Sequence, residues 1–245
     1  MNRFFVEKEN ITDSSAVLYG EDVKHISSVL RLRTGDEVML CDGIGMDYHA
    51  RITAISKAEV HFDILSSSPA LTEPRCSLTL FQGLPKAGKL ETIIQKCVEL
   101  GISEIVPVAM ERSVVRLSKK DFGKKLERYQ RVAMEASKQS RRGVIPRVGG
   151  LIEPKEIDPA AFDALLLAYE LEGEHSIKAV LDALDSNVRR IGVIIGPEGG
   201  ISDEEAKLFA SLGAQSFSLG HRILRTETAG PAITAIIMYH MEGEA

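Results

Sequence analysis

No stretch of this 245-residue chain stays apolar for long enough to cross a bilayer. The first residues, Met1-Asn2-Arg3-Phe4-Phe5-Val6-Glu7, turn charged at once and lack the apolar core of a signal peptide. Cysteine is scarce: Cys41, Cys76 and Cys97 are widely spaced, odd in number and form no C-x-x-C pair. A disulfide scaffold and a structural zinc site are thereby excluded, and a soluble cytoplasmic protein with no membrane or metal partner is expected. A positive overall charge is also lacking. The net is −5 at pH 7, which argues against a nucleic-acid partner until its distribution is considered.

That distribution is uneven. Residues 1–74 hold 7 basic and 12 acidic side chains, and residues 75–111 hold 4 of each. Residues 112–147 hold 12 basic against 3 acidic, a net of +9, while residues 148–245 hold 7 against 16. A basic stripe inside an acidic protein has two readings: a solvated helix face, or the footprint of a phosphate-backbone contact.

The first 70 residues read mainly as β. Met46, Tyr48, Ala50, Ile52 and Ala54 alternate with Asp47, His49, Arg51 and Thr53. Ala58, Val60, Phe62 and Ile64 alternate with Glu59, His61 and Asp63, and Ser56-Lys57 joins the two runs as a hairpin. Residues 36–41 add a strand, and residues 21–30 place Val23, Ile26, Val29 and Leu30 at helical spacing. These pieces suggest a small barrel over residues 1–72.

A serine cluster and two prolines in residues 66–74 break the pattern. Beyond them strands alternate with helices: strands over 77–82, 104–109, 164–169, 191–195 and 216–219, helices over 89–100, 122–139, 177–184, 203–212 and 228–241. Such alternation predicts an α/β domain over residues 73–245, with a parallel sheet covered on both faces.

Two segments concentrate the chemistry. In residues 191–202 a very apolar strand runs into Gly196-Pro197-Glu198-Gly199-Gly200, and Ser202 with Glu205 forms a capping box for the next helix. The loop has neither G-x-G-x-x-G spacing nor a G-K-[ST] step, so a dinucleotide fingerprint or P-loop is a poor reading. What remains is a nucleotide-like site at a strand end or a structural tight turn. Residues 219–231 also follow a strand, and they crowd Arg222, Arg225 and Glu227 ahead of an apolar helix. Charges so placed are paired, solvated or functional.

The unbroken runs Ile195-Gly196-Pro197-Glu198-Gly199-Gly200-Ile201-Ser202 and Leu219-Gly220-His221-Arg222-Ile223-Leu224-Arg225-Thr226-Glu227-Thr228-Ala229 resemble signatures of the SPOUT methyltransferases. Within that class they resemble the RsmE family of ribosomal RNA uridine-N3 methyltransferases. Further likeness lies in Leu84-Pro85-Lys86, in residues 96–101, in Glu111-Arg112-Ser113, in residues 135–142 and in residues 25–31. The least typical part is the loop around Glu170–Glu174.

The resemblance implies a PUA-like RNA-contacting β-barrel followed by a SPOUT domain whose chain forms a deep trefoil knot. It implies S-adenosylmethionine as methyl donor, with S-adenosylhomocysteine as product, and 16S ribosomal RNA or the small ribosomal subunit as partner. A homodimer through the SPOUT domain is also implied, and the apolar run 233–238 could serve its interface or the core. Donor contacts are expected from Leu167, Tyr169, Ile195, Gly196, Pro197, Glu198, Gly199, Gly200, Leu219, Gly220, Ile223, Leu224, Thr226, Thr228 and Ala229. Arg225 and Arg222 are expected at the reacting base, and Glu198 or Glu227 either takes the N3 proton or pairs with the arginines as a brace. RNA phosphates are expected at Lys86, Arg112, Arg116, Arg141, Arg142 and Arg31, with Lys89 as an addition. Two other readings keep part of this picture: a SPOUT enzyme acting on a ribose 2′-oxygen, and a non-catalytic RNA-binding assembly factor.

Overall fold

The structure is a computed structural model that describes residues 1–86 and 88–242. The chain divides into two compact units: Met1–Glu73 with Ser137–Ile145, and Pro74–Ala136 with Pro146–Ala245. The segment Ser137–Ile145, which sequence alone leaves in the second domain, thus groups with the first unit.

In the first unit, strands β1 (Arg3–Phe5), β2 (Ser15–Tyr19), β3 (Glu37–Cys41), β4 (Met46–Ile55) and β5 (Glu59–Pro69) pair in the order β1-β3-β4-β5-β2. Alternation decides which face is buried. Phe4, Ala16, Leu18, Val38, Leu40, Tyr48, Ala50, Ile52, Val60 and Phe62 form one core. Register shifts between His49 and Ala50 and between Ile52 and Ala54 bend β4 and curl the sheet around that core. Helix α1 (Glu21–Lys24) continues as a π-helical turn over His25–Val29, and its Val23 and Ile26 complete the core. The short strands β1 and β2 escape sequence reading.

Within this unit Arg142 is 4% exposed. Its guanidinium donates to Glu73 Oε2 at 2.7 Å. The same carboxylate accepts the backbone N–H groups of Gly143 (2.8 Å) and Val144 (3.1 Å). Arg31 and Arg141 are exposed and adopt left-handed backbone, with φ of 55° and 61°.

The second unit is built on six parallel strands: β6 (Ser77–Gly83), β7 (Glu104–Val108), β8 (Arg147–Val148), β9 (Ala164–Ala168), β10 (Arg190–Ile195) and β11 (Gln215–Phe217). Their order is β11-β9-β10-β6-β7-β8. The strands are apolar on both faces because both faces are covered. Leu78, Leu80, Ile105, Leu166, Ile191 and Val193 join a core with α2 (Lys89–Glu99), α3 (Lys119–Ser140), α4 (Ile177–Asp182) and α6 (Thr226–Glu242). Phe81, Val106, Leu165, Leu167 and Ile194 pack on the opposite face against Phe209 of α5 (Asp203–Ser211). Parallel and covered on both faces, this is the architecture expected from the α/β alternation.

All three cysteines are free and buried, and burial pushes the Cys41 and Cys97 thiols up to about 12. Among the described residues no helix is long and apolar enough to cross a membrane, and no group of three His, Cys, Asp or Glu side chains is placed to hold a metal ion.

Candidate active site

Strands β11, β9 and β10 are neighbours, so the loops that leave their carboxyl ends converge. They enclose a cavity of about 720 Å³ lined by residues 168–170, 172, 195–200 and 218–226, with Lys89 and Ala229. That volume suits a nucleoside-sized ligand.

The loop after β10 is held close to β6. A Cβ on Gly83 would lie 2.5 Å from the Pro197 nitrogen, so glycine alone permits the approach. Gly200 has φ +74°, and a side chain there would fall on the Glu170 carboxylate. Ser202 then starts α5: its side chain accepts from Glu205 N at 3.3 Å while Glu205 Oε2 accepts from Ser202 N at 3.1 Å. Glu205 Oε1 also accepts from Glu111 N at 2.7 Å, fixing the loop from a third side.

The loop after β11 enters α6 through Thr226. Its buried hydroxyl donates to the Gly196 carbonyl at 2.8 Å and accepts from Gln82 Nε2 at 2.8 Å. Leu219 and Leu224 are half-buried against the core, whereas Ile223 is 90% exposed at the cavity. That exposure rules out plain core packing for Ile223.

The loop after β9 is pinned by Glu172. Its Oε1 accepts the N–H groups of Glu174 (2.8 Å) and His175 (3.2 Å), and its Oε2 accepts from Ser216 Oγ. The Ser216 hydroxyl and these backbone donors hold its carboxyl down at about 2.

Lys89 organises the electrostatics. Its Nζ lies 3.0 Å from Glu198 Oε1 and 2.9 Å from Glu227 Oε2. Glu198 also accepts from Lys86 N at 3.1 Å. Burial pushes the Glu198 carboxyl up, but its own backbone N–H, Lys89 and the Lys86 N–H outweigh that and leave it below the usual range. For Glu227 the Lys89 ammonium is the main cause of a lowered carboxyl, helped by its own backbone N–H. Lys89 in turn is raised by Glu227 and then Glu198. Arg222 and Arg225 line the same cavity, and among the described residues neither guanidinium has a hydrogen-bond or ion-pair partner.

Every residue expected at the donor lines this cavity except two. Leu167 is buried in β9 on the face that packs toward α5, and Thr228 lies exposed on α6, outside the lining. Sequence reading missed Glu170, Glu172 and Ser218. It also gave Lys89 a phosphate, where the structure gives it two carboxylates. A lysine facing acids more than 100 residues away leaves no local signal.

Of the expected phosphate contacts in this unit, Arg112 donates to the Ile201 carbonyl at 3.1 Å, and Arg116 donates to the Met110 carbonyl at 3.4 Å and to the Glu111 carbonyl. Both are exposed arginines that tie the segment after β7 to itself and to the glycine loop. Lys86 is exposed, with its N–H engaged by Glu198. Much of the basic stripe is paired: Lys119 with Glu156, Lys124 with Asp121, Arg128 with Glu91.

Comparison with known proteins adds a family to this geometry. Residues 72–238 match the RNA methyltransferase domain, and residues 18–65 match the RNA methyltransferase PUA domain. The chain is 32% identical over 250 residues to ribosomal RNA small subunit methyltransferase E of Bacillus subtilis, covering 99% of this chain and 98% of that one. It is 34% identical to the Synechocystis protein of the same name, over 93% of this chain and 74% of that one. A crystal structure of ribosomal RNA small subunit methyltransferase E from Neisseria gonorrhoeae bound to S-adenosyl methionine superposes with a TM-score of 0.83 at 30% identity, covering 97% of this chain and 96% of that one. On a match that runs through both units, this chain belongs to the ribosomal RNA small subunit methyltransferase E family of RNA methyltransferases.

Proposed function

We propose that this chain transfers the methyl group of S-adenosylmethionine to N3 of one specific uridine in 16S ribosomal RNA. One observation carries the reading: both signature loops, 195–202 and 219–229, open onto a single cavity that also displays Arg222 and Arg225, neither with a hydrogen-bond or ion-pair partner among the described residues. The Neisseria gonorrhoeae relative is bound to S-adenosyl methionine, and the cavity here fits that donor. Its volume is adequate, its glycines keep backbone groups accessible, and Ile223 offers an exposed apolar side chain to a ring. Covering such a side chain contributes about 1.5–3 kcal/mol.

When bound, S-adenosylmethionine supplies a methyl group made electrophilic by its sulfonium. The backbone of residues 196–200 and 219–224 grips the adenosine, with Leu219, Ile223 and Leu224 against the ring. Thr226 and Ala229 close the other end. Arg225 and Arg222 donate hydrogen bonds to uracil O2 or O4, where negative charge gathers as the N3 proton passes to solvent water. Neither acts as base, because arginine stays protonated. Glu198 and Glu227 are assigned to bracing: carboxylates already lowered by Lys89 are weak proton acceptors near neutral pH. Orientation of the two reactants supplies most of the acceleration.

Lys86 and the exposed Arg31 and Arg141 are assigned to RNA phosphates, whereas buried Arg142 is assigned to Glu73. The trefoil knot belongs to this reading, supported by the crowding of Gly83, Pro197, Gly196 and Thr226. So does a homodimer, for which α6 offers exposed Ile236 and Tyr239 while Ile233, Ile237 and Met238 serve the core. A cytoplasmic setting follows from the ribosomal substrate. The test is mass mapping of nucleosides in small subunits from a strain lacking the gene, with the purified protein added back. Restored 3-methyluridine is expected; restoration of a ribose methyl alone would overturn the assignment.

A further inference from the structure

Among the described residues, Glu170 is the one acidic side chain lining the cavity that has no hydrogen-bond or ion-pair partner. It follows β9 by two residues, lines the cavity and is exposed. Its neighbours in charge are all committed: Glu172 to the Glu174, His175 and Ser216 donors, Glu198 and Glu227 to Lys89. Among the described residues Glu170 has no hydrogen-bond or ion-pair partner. Its position is nonetheless defined. The Glu172 hydrogen bonds pin the loop just beyond it, and its carboxylate lies against Gly200, at φ +74°, where any side chain would collide with it. Two loops from adjacent strands therefore cooperate to present one bare carboxylate to the cavity.

Resting on the reading of this cavity as a methyl-donor site, we infer that Glu170 accepts hydrogen bonds from the ribose hydroxyls of the donor and selects for a ribonucleoside. A carboxylate offers several lone pairs and no donor, which matches a vicinal diol with two O–H groups. In dinucleotide-binding α/β folds an acidic side chain hydrogen-bonds the ribose in this way. The placement favours the sugar over the amino-acid end, because Glu170 abuts the glycine loop assigned to the adenosine. The Lys89 ion pairs with Glu198 and Glu227 lie beside the first turn of α6, where the amino-acid end is assigned.

The test is calorimetric and needs no turnover. S-adenosylhomocysteine, its 2′-deoxy analogue and 5′-methylthioadenosine, which lacks the amino-acid portion, are titrated into the wild-type protein, Glu170→Gln and Glu170→Ala. Binding of S-adenosylhomocysteine to the wild type tests the donor-site reading by itself. Given that binding, Glu170→Ala is expected to weaken S-adenosylhomocysteine and methylthioadenosine alike by about 10- to 100-fold, as for a hydrogen bond to a charged group. Glu170→Gln is expected to fall between. The 2′-deoxy analogue, which keeps only one of the two O–H groups, should bind wild type less tightly and lose less on Glu170→Ala than S-adenosylhomocysteine does. Wild-type thermal unfolding in all variants confirms that the Glu172 anchor keeps the loop in place. A loss confined to S-adenosylhomocysteine would move Glu170 to the amino-acid end and overturn the inference, as would unchanged affinity for all three ligands.

Discussion

The Thr226 hydroxyl donates to the Gly196 carbonyl oxygen at 2.8 Å, joining the first turn of α6 to the loop after β10 across 30 residues. Both signature segments thus depend on one buried hydrogen bond, which Gln82 extends into β6. Thr226→Val removes the donor to the part-buried Gly196 carbonyl and leaves the buried Gln82 amide only its bond to the Gly83 carbonyl. A loss of about 1–3 kcal/mol is expected, with a lower Tm and weaker donor binding; Thr226→Ser should retain both. Thermal melts with and without S-adenosylhomocysteine measure the two effects separately.

Arg225→Ala tests the division of labour inside the cavity. Donor affinity should be kept, because among the described residues the guanidinium has no hydrogen-bond or ion-pair partner, and it is assigned to the uracil. Methyl transfer to small subunits should fall by about 100-fold or more, the scale for losing one donor to developing charge. Single-turnover transfer beside calorimetry resolves this. Full turnover would remove Arg225 from the mechanism.

Lys89 holds Glu198 and Glu227 below the ordinary carboxylate range. With Lys89→Met both carboxyls should rise, Glu227 further because Lys89 is the main cause of its lowering, whereas Glu198 keeps its own backbone N–H and the Lys86 N–H. Groups with depressed pKa stabilise the fold above their ordinary pKa and lose that effect as pH falls through the folded value. The variant keeps only the backbone donors to these carboxylates and should lose them at higher pH than the wild type, moving the acid limb of the activity profile upward. Lys89→Arg, which keeps the charge, should restore the profile, and carbon-detected titration of the two carboxyls gives an independent reading.

Glu172 makes a sharper case for pH. Its carboxyl sits at about 2 against an ordinary 4.5, so its contribution is complete above about pH 4.5 and disappears as pH falls toward 2. Wild type should be more stable than Glu172→Gln at pH 7, and urea midpoints of the two should converge on acidification. A constant gap across that range would show that Glu172 holds its loop by shape rather than by charge.

Patterns with a short period were legible from sequence, and pairings across long separations were not. Tyr48, Ala50 and Ile52 declare an inward face by alternation, and Ser202 with Glu205 declares a helix start within four residues. The two loops declared a site because glycines and charges cluster after strands. Leu167 misled because β9 ends at Ala168 with Leu167 turned into the α5 core, a facing that the position of the strand end does not fix. Lys89 and Arg142 read as surface cations because Glu198, Glu227 and Glu73 stand far along the chain. A charge count cannot tell a solvated arginine from a buried one.

Arg141 and Arg142 are adjacent in sequence and opposite in role. Arg142 is 4% exposed and paired with Glu73, so Arg142→Ala should cost about 3–5 kcal/mol by leaving a carboxylate without its partner. Arg141 closes α3 in left-handed backbone at φ 61°, a conformation that costs a residue with a Cβ about 1 kcal/mol more than glycine. Arg141→Gly should therefore raise the unfolding midpoint. If the side chain meets an RNA phosphate, the same substitution should weaken binding to small subunits and reduce the slope of log affinity against log salt by nearly one. Stability rising while affinity falls is a signature that a solvated surface arginine does not give. A slope unchanged by Arg141→Gly would leave this position a helix end and nothing more.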